Sequence, residues 1–156
     1  STVGIPAAME RFAERFPGVA LAVSLHTARA GLRRRLMPAA RAHNLPRLRR
    51  ALQTVAERQA RPVMIEYLLL EGLNDAPEDA AALARFLAGI PARVNLLPFN
   101  PVVAAGGLRG AGPEQRRAFA RRLRAAGLMV NLRYSLGADI AAACGQLAAA
   151  GGAPGA

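Results

Sequence analysis

The sequence has no lysine, no tryptophan and a single cysteine, and aromatic residues fill only 4% of its 156 positions. One cysteine excludes an internal disulfide and fits a reducing, cytoplasmic setting. It also excludes metal sites built on paired cysteines, and His26 and His43 are too few to complete a zinc site with it. So few aromatic rings make base-stacking platforms unlike this chain. Neither GxxxxGK[ST] nor HExxH occurs. Gly106, Gly107, Gly110 and Gly112 match no phosphate-binding fingerprint and read as a mobile loop. No apolar run is long enough to span a bilayer, and no charged-then-apolar leader opens the chain. It starts at Ser1 rather than Met, as a fragment or processed product would.

The composition is 53% hydrophobic with a net charge of +11. That supports one domain with a real core, placed at residues 1–150, followed by a flexible tail at 151–156 rich in Gly and Ala. The positive charge favours a polyanion such as RNA. Every basic residue is arginine, however, so a coding bias is an alternative source of part of it.

Periodicity divides the chain into alternating elements. Pro6 opens a helix with Met9, Phe12, Ala13 and Phe16 on one side, stopped by Pro17-Gly18. Val19 to Leu25 is a continuous apolar run, the habit of a strand buried on both faces in a parallel sheet. Thr27 to Arg41 is basic and reads as a solvated loop and short helix, with an RNA-contacting patch as the alternative. Asn44 caps the next helix, whose core face is Leu45, Leu48, Leu52 and Val55. Val63 to Leu70 is the second strand. Glu66 inside it is either a site-facing carboxylate or a satisfied structural one. Asp75 is placed as the cap of a helix lined by Leu83, Phe86, Leu87 and Ile90. Arg93 to Phe99 is the third strand. Pro113 opens an arginine-rich helix with Arg117, Arg121 and Arg124 on one side, and Leu128 to Arg133 is the fourth strand.

Such alternation predicts an α/β fold with about four parallel strands and flanking helices, ligands gathering at the C-terminal strand ends. Polar residues fall at those ends: Ser24 and His26, then Asn100, then Ser135 ahead of Cys144.

Cys144 sits in Gly137-Ala138-Asp139-Ile140-Ala141-Ala142-Ala143-Cys144-Gly145-Gln146-Leu147. Taken alone, a lone cysteine is a small buried hydrophobe. The segment nevertheless resembles the D-I-x-A-A-C-G-Q-L signature of the radical S-adenosylmethionine (SAM) RNA methyltransferases that methylate adenine carbons, the RlmN/Cfr family. Further motifs follow in family order: Ser1-Thr2-Val3-Gly4, Ala22 to His26, Ile65 to Asp75 and Asn95 to Pro101.

The resemblance covers nearly the whole chain and is to the C-terminal half of that family. It implies a partial (β/α) barrel of the radical SAM type, in which Ser1, Ser24, Leu25, His26 and Asn100 hold SAM. Taken alone, Ser24 and Asn100 would serve as turn or strand-end hydrogen bonders. Cys144 would be the catalytic residue, carrying a methyl group on sulfur before its transfer to an adenine carbon of ribosomal RNA, and of transfer RNA too. The family's 4Fe-4S cluster is held by C-x-x-x-C-x-x-C, which is absent here, so this chain ligates no metal. The missing N-terminal half would supply the cluster, and this chain alone would be inactive. Leu136 and Ala138 depart from positions often polar in the family. The other readings are a non-catalytic remnant binding RNA or SAM, and an unrelated hydrolase pairing Cys144 with His26.

Overall fold

The computed structural model describes residues 1–59, 61–100 and 107–134. Cys144 with its flanking segment, and the tail at 151–156, lie outside the described residues. Helix α1 (Pro6–Arg15) leads to strand β1 (Ala22–Ser24), followed by α2 (Ala30–Leu36), a 3-10 turn (Pro38–Ala42) and α3 (Leu45–Arg58). Then come β2 (Val63–Leu68), α4 (Pro77–Leu87), β3 (Ala92–Leu97), α5 (Pro113–Ala125) and β4 (Met129–Leu132). The four strands form one sheet in the order β1-β2-β3-β4, every pair parallel. Thr2 extends it beyond β1: its N–H donates to Ala22 O at 2.9 Å, and Ser24 N–H donates to Thr2 O at 2.9 Å.

The helix starts follow local chemistry. Proline stands in the first turn of α1, α3, α4 and α5, where its missing N–H costs no helical bond. Asn44 caps α3 as expected, its Oδ1 accepting from Arg47 N–H at 3.0 Å. Asp75 does not cap α4. The cap is Ala76, whose N–H donates to Asp79 Oδ2 at 3.2 Å, while Asp75 Oδ1 accepts from Gly72 N–H at 3.0 Å and closes the preceding turn. Either carboxylate satisfies an orphan donor, and the sequence alone does not separate them.

Burial on both faces holds for Ala22 and Val23 of β1 but not for β2. Along β2, Val63, Ile65 and Tyr67 are fully buried while Met64, Glu66 and Leu68 are only half-buried. The buried side packs with Val23, Val94, Leu96 and Val130 against Met9 of α1, Leu48, Leu52 and Val55 of α3, Leu83 and Leu87 of α4, and Phe119 and Leu123 of α5. Each such side chain contributes roughly 1.5–3 kcal/mol by leaving water. The other face carries the polar residues, as strand alternation requires.

Two further expectations change. Arg33 is not solvated; it is 2% exposed, within α2. Gly110 is not in a free loop: it bridges Leu70 in antiparallel fashion, with Glu71 N–H donating to Arg109 O at 2.9 Å and Ala111 N–H to Leu69 O at 3.1 Å. A Cβ at Gly110 would stand 2.9 Å from Phe99 Cβ, so the approach requires glycine.

Candidate functional site at the strand ends

The C-terminal ends of β1 and β2 are tied by a compact set of hydrogen bonds. Both Leu25 N–H, at 3.0 Å, and His26 N–H, at 3.4 Å, donate to Glu66 O. His26 then takes a left-handed backbone (φ 58°), unusual for a residue with a Cβ. That turn brings its ring back across β2, where Leu68 N–H donates to His26 Nδ1 at 3.0 Å. Asn74 secures the turn: its Nδ2 donates to His26 O at 2.6 Å and Leu68 O at 2.8 Å, and its Oδ1 accepts from Leu70 N–H at 2.7 Å. Tyr67 OH donates to Asn74 O at 2.8 Å, and burial raises its phenol pKa. Asn74 is completely buried, with its amide fully used by backbone groups.

Arg33 reaches the same strand ends from α2. Its Nη2 donates to Val3 O at 2.7 Å and Ser24 O at 3.4 Å, so one guanidinium clasps the extended N-terminal segment and the end of β1. Gly4 makes room: it has φ +90°, and a Cβ there would lie 3.3 Å from Arg33 Nη2 and 3.0 Å from Leu48 Cδ1. Burial lowers the pKa of Arg33. Burial first, and then the charge of Arg33, push His26 down to about 4. The imidazole is therefore neutral near pH 7.

A polar row crosses the face of the sheet opposite the helices described. Ser24, Glu66, Asn95 and Asn131 occupy one register across β1, β2, β3 and β4. Asn131 Nδ2 donates to Asn95 Oδ1 at 3.1 Å, and Asn95 Nδ2 donates to Glu66 Oε1 at 2.8 Å. The donors all run toward the carboxylate, which is the group that benefits from them. Glu66 is thus a hydrogen-bonded carboxylate, as its structural reading has it.

Of the residues implied in SAM binding, Ser24, Leu25 and His26 stand together at the end of β1. Leu25 has a completely buried side chain and its N–H is taken by Glu66 O. Ser1 is exposed beside Thr2, at the sheet edge next to β1. Asn100 lies past the end of β3. Cys144 lies outside the described residues, so its relation to these groups is not part of this geometry. Sequence reasoning missed Arg33, hidden in an arginine run, and the roles of Asn74, Asn95 and Asn131. Spacing by two along the strands carries the signal for Asn95 and Asn131; nothing local marks Arg33.

Neither metal nor membrane features appear among the described residues. No group of three or more His, Cys, Asp or Glu is placed to hold a metal ion, and no helix is long and apolar enough to cross a membrane. With one cysteine in the chain, these residues do not fit an iron–sulfur cluster, which needs several thiolates.

A parallel α/β sheet with polar groups at its C-terminal strand ends recurs in solved structures. The chain superposes on a radical SAM methyltransferase from Sphaerobacter thermophilus with a TM-score of 0.88 and 38% identity, over 93% of this chain and 43% of that one. No family model matches it. Among curated proteins, it is 42% identical over 147 residues to "Probable RNA methyltransferase RB6963" of Rhodopirellula baltica, covering 94% of this chain and 39% of that protein. It is 47% identical over 147 residues to "Probable dual-specificity RNA methyltransferase RlmN" of Moorella thermoacetica, covering 94% and 41%. By sequence and fold the chain is similar to the RlmN-like radical SAM RNA methyltransferases over the part of their length that it spans. That part is 39% to 41% of those two relatives.

Proposed function

We propose that the chain is the SAM-holding and methyl-carrying part of an enzyme that methylates an adenine carbon, C2, of 23S ribosomal RNA and of transfer RNA in the cytoplasm. The observation that carries this is the joining of Ser24, Leu25 and His26 at one strand end, within a chain 47% identical to a relative named for RNA methylation.

The residues at the strand ends suit SAM. The Ser24 hydroxyl and His26 imidazole match ribose hydroxyls or a carboxylate, the Leu25 carbonyl matches an amine, and Ser1 and Asn100 flank them in the proposed site. SAM supplies an electrophilic methyl. The thiolate of Cys144, the nucleophilic form of that side chain, would accept that methyl, its new carbon–sulfur bond replacing the methyl–sulfonium bond, with S-adenosylhomocysteine as the leaving group. A sulfur carrier makes chemical sense because the adenine carbon is not nucleophilic and gains nothing from direct displacement. The cluster chemistry expected of the family belongs to residues other than these, so this chain alone is expected to be inactive. Exposed Arg117, Arg121 and Arg124 on α5, with Arg34 and Arg35 of α2, offer charge for RNA phosphates.

Intact-protein mass spectrometry tests the reading. The chain is produced joined to a relative's cluster-binding portion and supplied with SAM. A protein heavier by one methyl, with the label mapped to Cys144 and lost in Cys144→Ala, supports it. An unmodified thiol together with esterase activity would support the hydrolase reading instead.

A further inference from the structure

His26 is held by three independent constraints, and together they fix which of its nitrogens carries the proton. Leu68 N–H donates to Nδ1 at 3.0 Å, so Nδ1 must offer a lone pair there. A neutral imidazole has only one N–H, which then resides on Nε2. The ring cannot turn to exchange the two nitrogens without leaving Leu68 N–H unpaired at the end of β2, a loss of roughly 1–3 kcal/mol for a buried donor. Asn74 fixes the backbone from the other side by binding His26 O at 2.6 Å. No described residue takes the Nε2 proton.

Arg33 supplies the third constraint. It is nearly fully buried, yet its Nε and Nη1 have no hydrogen-bond partner among the described residues. No carboxylate forms an ion pair with it among the described residues. A cation so poorly compensated lowers stability, so its retention needs another cause. Its Nη2 bonds to Val3 O and Ser24 O lie just ahead of Gly4 and His26, and both of these residues have left-handed backbone. The clasp sets the exit direction of β1, and a second positive charge on the ring beside it is disfavoured.

We propose that His26 is locked as the Nε2–H tautomer, presenting to a ligand one fixed donor and no acceptor, and that Arg33 is the positioning residue that maintains this lock. The matching ligand atom is an oxygen with a free lone pair, a ribose hydroxyl or a carboxylate. A ligand whose only offering at that point is an N–H donor is rejected. The choice of ligand rests on the SAM reading above; the lock itself does not.

Nitrogen-15 NMR of the histidine rings reads the tautomer directly. The chain has two histidines, so His43 serves as internal reference. The expected result is a His26 ring with bare Nδ1 and protonated Nε2, unchanged between about pH 5.5 and about pH 8, where an unconstrained imidazole titrates. A ring averaging between tautomers, or protonated at Nδ1, overturns the proposal. Arg33→Met should release the lock and give averaged shifts with a cooperative melt retained. Arg33→Lys, which keeps a charge but loses the two-carbonyl clasp, should release it in part. His26 shifts unaltered in both folded variants overturn the role of Arg33. Addition of S-adenosylhomocysteine should move the Nε2 signal and leave Nδ1 in place. A fixed Nε2–H that ignores this probe sustains the lock and counts against the SAM reading alone.

Discussion

The two faces of the sheet are made by the same strands and obey different rules. On the covered face Val63, Ile65, Tyr67, Val94, Leu96 and Val130 meet the helices and are buried. On the other, Ser24, Glu66, Asn95 and Asn131 share a register one residue out of phase with that core, and Asn131, Asn95 and Glu66 are hydrogen-bonded in series. One face secures the fold, and the other is free to hold chemistry because the core does not depend on it. Substituting paired positions tests that division. Ile65→Ala should lower stability by about 4 kcal/mol, the cost of a cavity among fixed neighbours. Met64→Ala, one residue away and half-buried, should cost about 1 kcal/mol. Urea unfolding measures both, and equal losses would mean that the two faces are not distinct.

Asn74 lies where the faces meet the strand ends, and its removal should have the next largest effect. Asn74→Ala strands Leu70 N–H, His26 O and Leu68 O without partners, a loss of about 3 kcal/mol. Thermal melting measures the loss. Histidine NMR of the same variant should show His26 leaving its left-handed turn. A variant as stable as the parent would show that water replaces the amide.

Acidification should separate the strand ends from the covered core. The folded His26 imidazole has its pKa lowered from 6.5 to about 4. Between those values the unfolded chain takes up a proton that the folded chain does not, so stability falls as pH drops from about 6.5 to about 4 and then levels off. The full shift corresponds to about 3 kcal/mol, and partial exposure reduces that to about 2 kcal/mol. Asp79 acts in the opposite sense, since burial raises its carboxyl pKa in the folded state despite Arg29 at 2.8 Å. The difference between the parent and His26→Asn isolates the histidine, because asparagine tolerates the left-handed turn. Parallel pH curves for the two proteins would remove His26 as the source.

The order and type of the elements were legible in the sequence because apolar period and proline position are local properties. So was the Asn44 cap. The motif around Ser24 to His26 was legible too, and the structure sets those residues at one strand end. What could not be read was which side of each strand faces helices. A run such as Val63 to Leu70 is apolar at nearly every position and hides its alternation, with Glu66 as the sole break. Arg33 was misread for a different reason: Arg33, Arg34 and Arg35 are identical letters, and only the helix phase buries the first of them. Asp75 and Asp79 compete for one helix end, and three-dimensional geometry decides between them.

The smallest predicted effect bears on the open face itself. If Asn131, Asn95 and Glu66 act as a relay, their bonds are coupled, and removing one should weaken the next. A double-mutant cycle on Glu66→Ala and Asn95→Ala should give a coupling of about 1 kcal/mol, since a carboxylate acceptor strengthens a hydrogen bond and partial exposure weakens it. The cycle on Asn95→Ala and Asn131→Ala should give about half of that, because both partners are neutral and Asn131 is exposed. Single substitutions in the row should each cost less than Ile65→Ala, because the core side chains lie on the other face. Coupling equal to zero at both steps would reduce the row to independent surface residues that share a register. Coupling larger than the cost of Met64→Ala would place these amides among the groups that hold the sheet together, and the open face would then be structural as well as chemical.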